Sequence, residues 1–424
     1  MSIKHPALFI VCMVMILVMI SSRNLYSEEA DIGYLDSLIN EALINNPEIQ
    51  AAYNTWKAAK YKAKRVSGLP DPMARYTYFG ESIETKVGPQ EHKYGISQKV
   101  PFPGKLHLKK RAQSKHADML KEKYDATKRE VIKNIKFVYY DIFWIDKAIE
   151  VTQGEKSILE TLEKVAGRKY ETAQSPQQDV IKAQVEISKL IDKLFMLGQH
   201  RKSLEARMNA LLSRPKAALF DKVKDMELDK FEYGLQDLHE LANYSRQELL
   251  AADLGIERAK YEKSLAWLNF LPDFSFGFDY IQIGDGTTNL DKDGDDAWST
   301  TFAVHVPIWL SKQVADVKEK KATLAASRKN YENVKNNVIS EVEDVYYKIT
   351  TYKDIVSLYK TALVPQTEQA FDAARLAYET GKVDFLNWLD SERVLLQTRL
   401  AYYKAMVDYE KSIAYLERVV GRDL

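Results

Sequence analysis

The sequence predicts a mainly α fold with a small β component, organised as two copies of one unit in which a pair of strands precedes a long helical hairpin. Three observations carry this reading. Sequence landmarks recur about half a chain apart: Leu69-Pro70-Asp71 returns as Leu271-Pro272-Asp273, Val100-Pro101 as Val306-Pro307, Val138-Tyr139-Tyr140 as Val345-Tyr346-Tyr347, and Tyr170-Glu171-Thr172 as Tyr378-Glu379-Thr380. The offset drifts from 202 to 208, as loop insertions between two related units would make it. Long polar stretches also carry a narrow apolar seam, and residues 271–283 (LPDFSFGFDYIQI) alternate with the two-residue period of a strand between two different media.

The chain has 424 residues, 46% of them apolar and 29% charged, a composition that supports an ordered core. With 61 basic and 60 acidic residues its formal charge is +1, so nothing in the charge balance points to nucleic acid as a partner. Residues 1–27 read as a signal peptide: Lys4, an apolar run from Ala7 to Ile20, then a polar stretch with cleavage expected between Ser22 and Ser27. The run is too short for a membrane-spanning helix, which needs about 20 residues. Cys12, the single cysteine, lies inside it, so the exported chain is expected to carry no disulfide or thiolate chemistry.

The first repeat is expected over residues 28–214. Its strands are expected at Met73–Phe79 and Tyr94–Val100, with Pro70 and Pro72 opening the first and Pro101 and Pro103 closing the second. Proline lacks the ladder N–H and therefore suits strand ends. A helix then runs from about Lys105 to Glu171, about 100 Å at about 1.5 Å per residue, longer than any compact domain requires. Tyr124, Thr127, Val131, Ile135, Val138, Ile142, Ile145, Ile149 and Thr152 follow the 3,4 spacing of a coiled-coil seam. A return helix is expected from Gln177 to Leu212.

A linker over 215–233 leads to the second repeat, 234–424. Its strands are expected at Asp273–Ile283 and Trp298–Val306. The seam returns as Tyr331, Val334, Val338, Val342, Val345, Ile349, Tyr352, Val356 and Tyr359, and the return helix at Val383–Val420. Pro365 has no counterpart in the first repeat and should kink or interrupt its helix. Gly381 supplies the second hairpin turn, and Ala173 stands where the first would place a glycine.

An exported chain without a spanning helix can enter a membrane as a β-barrel, in which closure satisfies every backbone group. Phe274, Phe276, Phe278 and Tyr280 would then face lipid, with Asp273, Ser275 and Asp279 facing water. Four strands cannot close around a channel, so several chains would have to pool them. The alternative is a soluble sheet capping a coiled-coil scaffold.

Several stretches resemble the TolC outer-membrane efflux protein family: the strand entries LPDP (69–72) and LPDF (271–274), YGISQKVPFPGKL (94–106), QQDVIKAQ (177–184) and AYETGKVDFLNWLDSER (377–393). The last three together are most similar to the branch serving heavy-metal efflux pumps. The resemblance covers nearly the whole exported length. It implies a homotrimer whose strands form one twelve-stranded barrel in the outer membrane and whose helices extend as an α-barrel tunnel through the periplasm. It also implies a periplasmic adaptor and an inner-membrane pump of the RND type as partners, with heavy-metal cations as candidate cargo. Drug efflux, type I protein secretion and a non-conducting periplasmic scaffold are the alternatives. By the same resemblance Asn387 and Asp390 fall at the periplasmic aperture, where family members often carry two acidic positions, so one carboxylate ring is expected instead of two. The adaptor would dock on the hairpin turns, marked by Ala173, Asp179, Gly381 and Asp384, and alanine for glycine at 173 argues against strict equivalence of the two docking grooves.

No catalytic constellation or cofactor motif stands out. Residues 239–243 (HELAN) lack the second histidine of a zinc pair, and Asn289-x-Asp291-x-Asp293-Gly294 has Thr300 where a calcium loop needs its bidentate glutamate. The loop around 285–296 is read as an acidic hairpin loop. Residues 104–111 (GKLHLKKR) form a basic helix start, read as a solvated face or a contact for phosphates beneath a barrel.

Overall fold

The computed structural model describes residues 33–215, 218, 220, 222–223, 226, 228–286 and 291–424. The signal-peptide expectation, parts of the linker and Asn289 of the acidic loop lie outside the described residues. The first repeat consists of α1 (Tyr34–Asn45), α2 (Pro47–Arg65), β1 (Met73–Thr85), β2 (Gly88–Val100), α3 (Lys105–Glu171) and α4 (Gln177–Leu212). The second consists of α5 (Leu235–Ser245), α6 (Gln247–Leu268), β3 (Asp273–Ile283), β4 (Ala297–His305), α7 (Leu310–Leu358), a π-helical turn at Tyr359–Leu363, α8 (Val364–Glu379) and α9 (Phe385–Val420).

The repeat extends to the joints between helices. Asn46 caps α2 by accepting from the backbone N–H groups of Glu48 (2.9 Å) and Ile49 (3.2 Å), while its amide donates to the Leu211 carbonyl at the end of α4 (2.9 Å). At the same place in the second repeat the Arg246 guanidinium donates to the Arg418 carbonyl and Gln247 to the Gly421 carbonyl, at the end of α9. Each short helix pair is thus pinned to the far end of its own hairpin.

The predicted seams form the core. Val131, Ile135, Val138, Ile142 and Ile145 of α3 are buried with Leu204, Met208 and Leu212 of α4, and Val338, Val342, Val345 and Ile349 of α7 with Ile413, Leu416, Val419 and Val420 of α9. Each such side chain stabilises the packing by about 1.5–3 kcal/mol relative to exposure. Pro365 interrupts its helix as expected: the π turn precedes it and α8 restarts with the proline in its first turn, where the missing N–H costs nothing.

The strands form a single antiparallel sheet in the order β1-β2-β3-β4. The central β2–β3 pairing, from Val100↔Phe274 to Gln90↔Ile283, joins the two repeats and leaves β1 and β4 as edges in the single chain. β1 and β2 are longer than expected. The stretch ESIETKVGPQEHK (81–93) does not alternate cleanly, but a register shift between Tyr78 and Ile83 absorbs the irregularity. The Thr85 hydroxyl donates to the Gly88 carbonyl (2.6 Å) in the turn, where Gly88 has φ +128°.

Candidate functional site

The sheet and the hairpin tips carry the candidate function. Register sets every second residue of the four strands on one face: Tyr76 opposite Tyr94, Tyr94 opposite Tyr280, Tyr280 opposite Trp298. Along this face Phe274 stacks on Phe302 at 5.9 Å and Phe276 meets Phe302 at 5.2 Å, while Phe278 stacks on Trp298 at 6.3 Å. Paired aromatics of this kind stabilise cross-strand register. Phe276, Phe278 and Tyr280 nevertheless stay exposed, at 54%, 44% and 41%, as do Tyr76, Tyr78, Trp298 and Phe302. Phe274 is half-buried. An apolar face this continuous is unusual for a surface bathed in water.

The opposite face is polar. Lys93 pairs with Asp279 across β2 and β3 at 3.4 Å, and Ser275 hydrogen-bonds His305 at 2.8 Å. Gly95 leaves room for the Asp279 carboxylate in this pose, since a Cβ there would lie 2.4 Å from its oxygen and make it shift. One sheet thus carries two media-specific faces with a single set of backbone bonds.

Where the sheet meets the helices, Lys105 departs from the solvated reading of residues 104–111. Gly104 turns the chain at φ +96°, and Lys105 is buried, donating to the Leu271 carbonyl and to Asp273 Oδ1, each at 2.8 Å. Asp273 also accepts from the Phe102 N–H (3.0 Å). This lysine ties the base of the sheet to the start of α3, whereas Lys109, Lys110 and Arg111 remain exposed.

At the opposite end, the two hairpin turns are alike. Ala173 adopts φ +58° and Gly381 φ +71°. Each donates its N–H three residues back, to Tyr170 (2.9 Å) and Tyr378 (3.1 Å) respectively, and the next residue closes the turn onto Lys169 and Ala377. Ala173 therefore takes the left-handed conformation despite its Cβ, and the two backbone turns close in the same way. Asp384 caps α9 by accepting from the Asn387 N–H (2.9 Å). Asp179 lies in the first turn of α4, its carboxyl held above the usual range by burial and by the nearby Asp384, against Lys182. Lys169 of α3 donates to the Tyr378 carbonyl and lies 4.3 Å from that ring's centre, so the first tip holds the second. Trp388 and Leu389 turn inward, while Asn387 and Asp390 are exposed on α9.

Sequence reasoning missed Lys105, Lys169 and a buried polar pair, Glu155 of α3 and Glu392 of α9. A signal for Glu155 existed. The 3,4 spacing of the α3 seam continues past Thr152 through Glu155, Leu159, Leu162 and Ala166, which places a carboxylate where the periodicity demands an apolar group. Among the described residues no group of three or more His, Cys, Asp or Glu is placed to hold a metal ion, and no helix is long and apolar enough to cross a membrane.

A two-faced sheet set on long, paired helical hairpins is the architecture that the comparisons with known proteins share. Residues 238–422, which span the second repeat, match the family described as "Outer membrane efflux protein". Over 63 residues it is 35% identical to the cobalt-zinc-cadmium resistance protein CzcC of Cupriavidus metallidurans, an alignment covering 15% of each chain. The fold is similar to that of CusC, with a TM-score of 0.78 at 17% identity over 92% of both chains. It is also similar to the outer membrane protein VceC of Vibrio cholerae, with a TM-score of 0.76 at 17% identity, covering 92% of this chain and 96% of that one.

Proposed function

We propose that this chain is the exit duct of a tripartite efflux system, a homotrimer that conducts solute passively across the outer membrane. The observation that carries the proposal is the sheet: an aromatic face, a polar face and two unpaired edges in the single chain. Open edges in lipid leave each unpaired backbone group costing several kcal/mol, so β1 of one copy pairs with β4 of the next until the barrel closes. The aromatic face meets lipid and the Lys93–Asp279 face lines the water-filled lumen. The helical hairpins continue the passage into the periplasm, where the turns at Ala173 and Gly381 receive an adaptor and an inner-membrane pump of the RND type supplies energy. No residue is assigned a catalytic role.

Heavy-metal cations are the proposed cargo, supported by the local identity with CzcC. The proposed aperture is the ring of Asp390 carboxylates, with Asn387 leaving the neighbouring ring neutral. Protein extracted from the outer membrane in detergent is expected to migrate as a trimer and to conduct in planar bilayers. Recovery as a soluble periplasmic monomer without conductance would overturn the assignment. A deletion strain challenged with cobalt, zinc, cadmium, copper and a panel of dyes and antibiotics tests the cargo, and unchanged growth on every metal would reject metal efflux.

A further inference from the structure

Beneath the hairpin tips, between α3 and α9, two acidic side chains face each other in the core. Glu155 has no exposed side-chain surface, and Glu392 is 2% exposed. Leu159, Leu162, Trp388, Leu389, Leu395 and Leu396 belong to the apolar core of this region. Among the described residues one cation hydrogen-bonds to the pair: Arg399 of α9 donates to Glu155 Oε1 (3.2 Å) and, through its other nitrogen, to Glu368 of α8 (2.9 Å). The remaining charges that face the site do not neutralise Glu392. Glu186 of α4 adds to its burden and is itself occupied by Lys189 and Arg393, while Arg393 and Lys193 act on Glu392 only at a distance. As two carboxylates, Glu155 and Glu392 cannot donate to each other, and each is left with a buried oxygen lacking a partner. One shared proton turns the same contact into a hydrogen bond.

We propose that Glu155 and Glu392 form a proton-operated clamp, closed on one shared proton, that holds α9 of the second hairpin against α3 of the first and releases when both carboxyls ionise. Burial, followed by the charge of Glu155, raises the Glu392 carboxyl to about 8, and burial also raises Glu155 against the pull of Arg399. The sign follows from linkage: the packed state binds the proton more tightly than the opened one, so the packing is favoured at low pH and loses that contribution as pH rises towards about 8. Two like charges in an apolar seam repel where water cannot screen them. The seam lies on the segment connecting the tip to the rest of the hairpin, so its release loosens α9 below Asp390.

Hydrogen exchange on the full-length protein in detergent tests the clamp and does not depend on conduction, so it can fail or succeed apart from the channel assignment. Peptides covering residues 150–160 and 386–397 are followed from pH 6 to pH 9, with labelling times corrected for the pH dependence of chemical exchange. Wild type is expected to lose protection in both segments by roughly tenfold or more across this range. Glu392→Gln keeps a neutral donor in place and is expected to hold the low-pH protection throughout. Should that variant fail to assemble, Glu392→Met removes the second charge and predicts the same flat profile. Glu410→Gln, at a separate buried carboxyl, is expected to leave the pH response of these segments intact. A flat wild-type profile, or an unchanged pH response in both Glu392 variants, would overturn the proposal.

Discussion

Ala173 shows how strongly a hairpin constrains a single position within it. The repeat aligns it with Gly381, and with alanine in place of glycine the backbone still adopts φ +58° with the same closing hydrogen bonds. The left-handed conformation costs an L-residue about 1 kcal/mol or more. Its retention with alanine shows that the hairpin geometry, set by packing of two long helices, outweighs local preference. Ala173→Gly is therefore expected to stabilise the tip by about 0.5–1 kcal/mol, visible as a later thermal transition or slower exchange in peptides spanning 166–180, with Gly381→Ala shifting its own turn the opposite way. Lys105 was illegible for the converse reason. It sits in a basic run that reads as surface, and only the chain reversal at Gly104 turns it inward to Asp273 and the Leu271 carbonyl. Lys105→Met removes both bonds, which together with the stranded Asp273 carboxylate are expected to cost about 1.5–3 kcal/mol, read as a lower urea midpoint of the assembled protein.

Elements were more legible than residues because their periodicities repeat. The seams of α3 and α7 and the alternation of β3 each offer many consistent positions, so a few exceptions such as Glu155 do not obscure them. β1 and β2 lost their distal halves to a bulge that breaks the alternation, and the linker hid its anchorage altogether. That segment is fastened by Glu410 of α9, a buried carboxyl accepting from the Asp229 N–H (2.8 Å), and by the Tyr409 hydroxyl donating to the Asp229 carbonyl (2.8 Å). Burial raises Glu410 to about 8, so its contribution to packing is present in acid and lost as pH rises from the ordinary carboxylate range towards about 8. Glu410→Gln is expected to flatten that dependence, measured as proteolysis within residues 228–233 from pH 6 to pH 9, where wild type becomes progressively more cleavable. For β3, Phe276→Asp places a charge on the aromatic face and is expected to cost on the order of 2 kcal/mol per copy in membrane assembly, whereas Ser275→Asp on the polar face is tolerated. Equal recovery of both variants from the outer membrane would refute the two-faced assignment.

At the scale of the whole molecule, function depends on surfaces that a single chain leaves open. Asp390 is exposed on α9 three residues beyond Asn387, while Trp388 and Leu389 between them are buried, so the helix presents these two polar groups away from its own hairpin core. Threefold closure of the hairpins would gather three Asp390 carboxylates at the narrow end of the tunnel. Their potential would extend over a Debye length, about 10 Å at 0.1 M salt, and contract to about 3 Å at 1 M. Two consequences follow for a conducting trimer. Cation preference, measured as reversal potential under a salt gradient, is expected to be marked at low ionic strength and to weaken near 1 M. Asp390→Asn is expected to remove most of the low-salt preference without altering trimer yield, and Asn387→Asp to strengthen it by adding a second carboxylate. A reversal potential unchanged in both variants would place the selective constriction elsewhere and leave Asp390 as a solvated residue on an outer helix face.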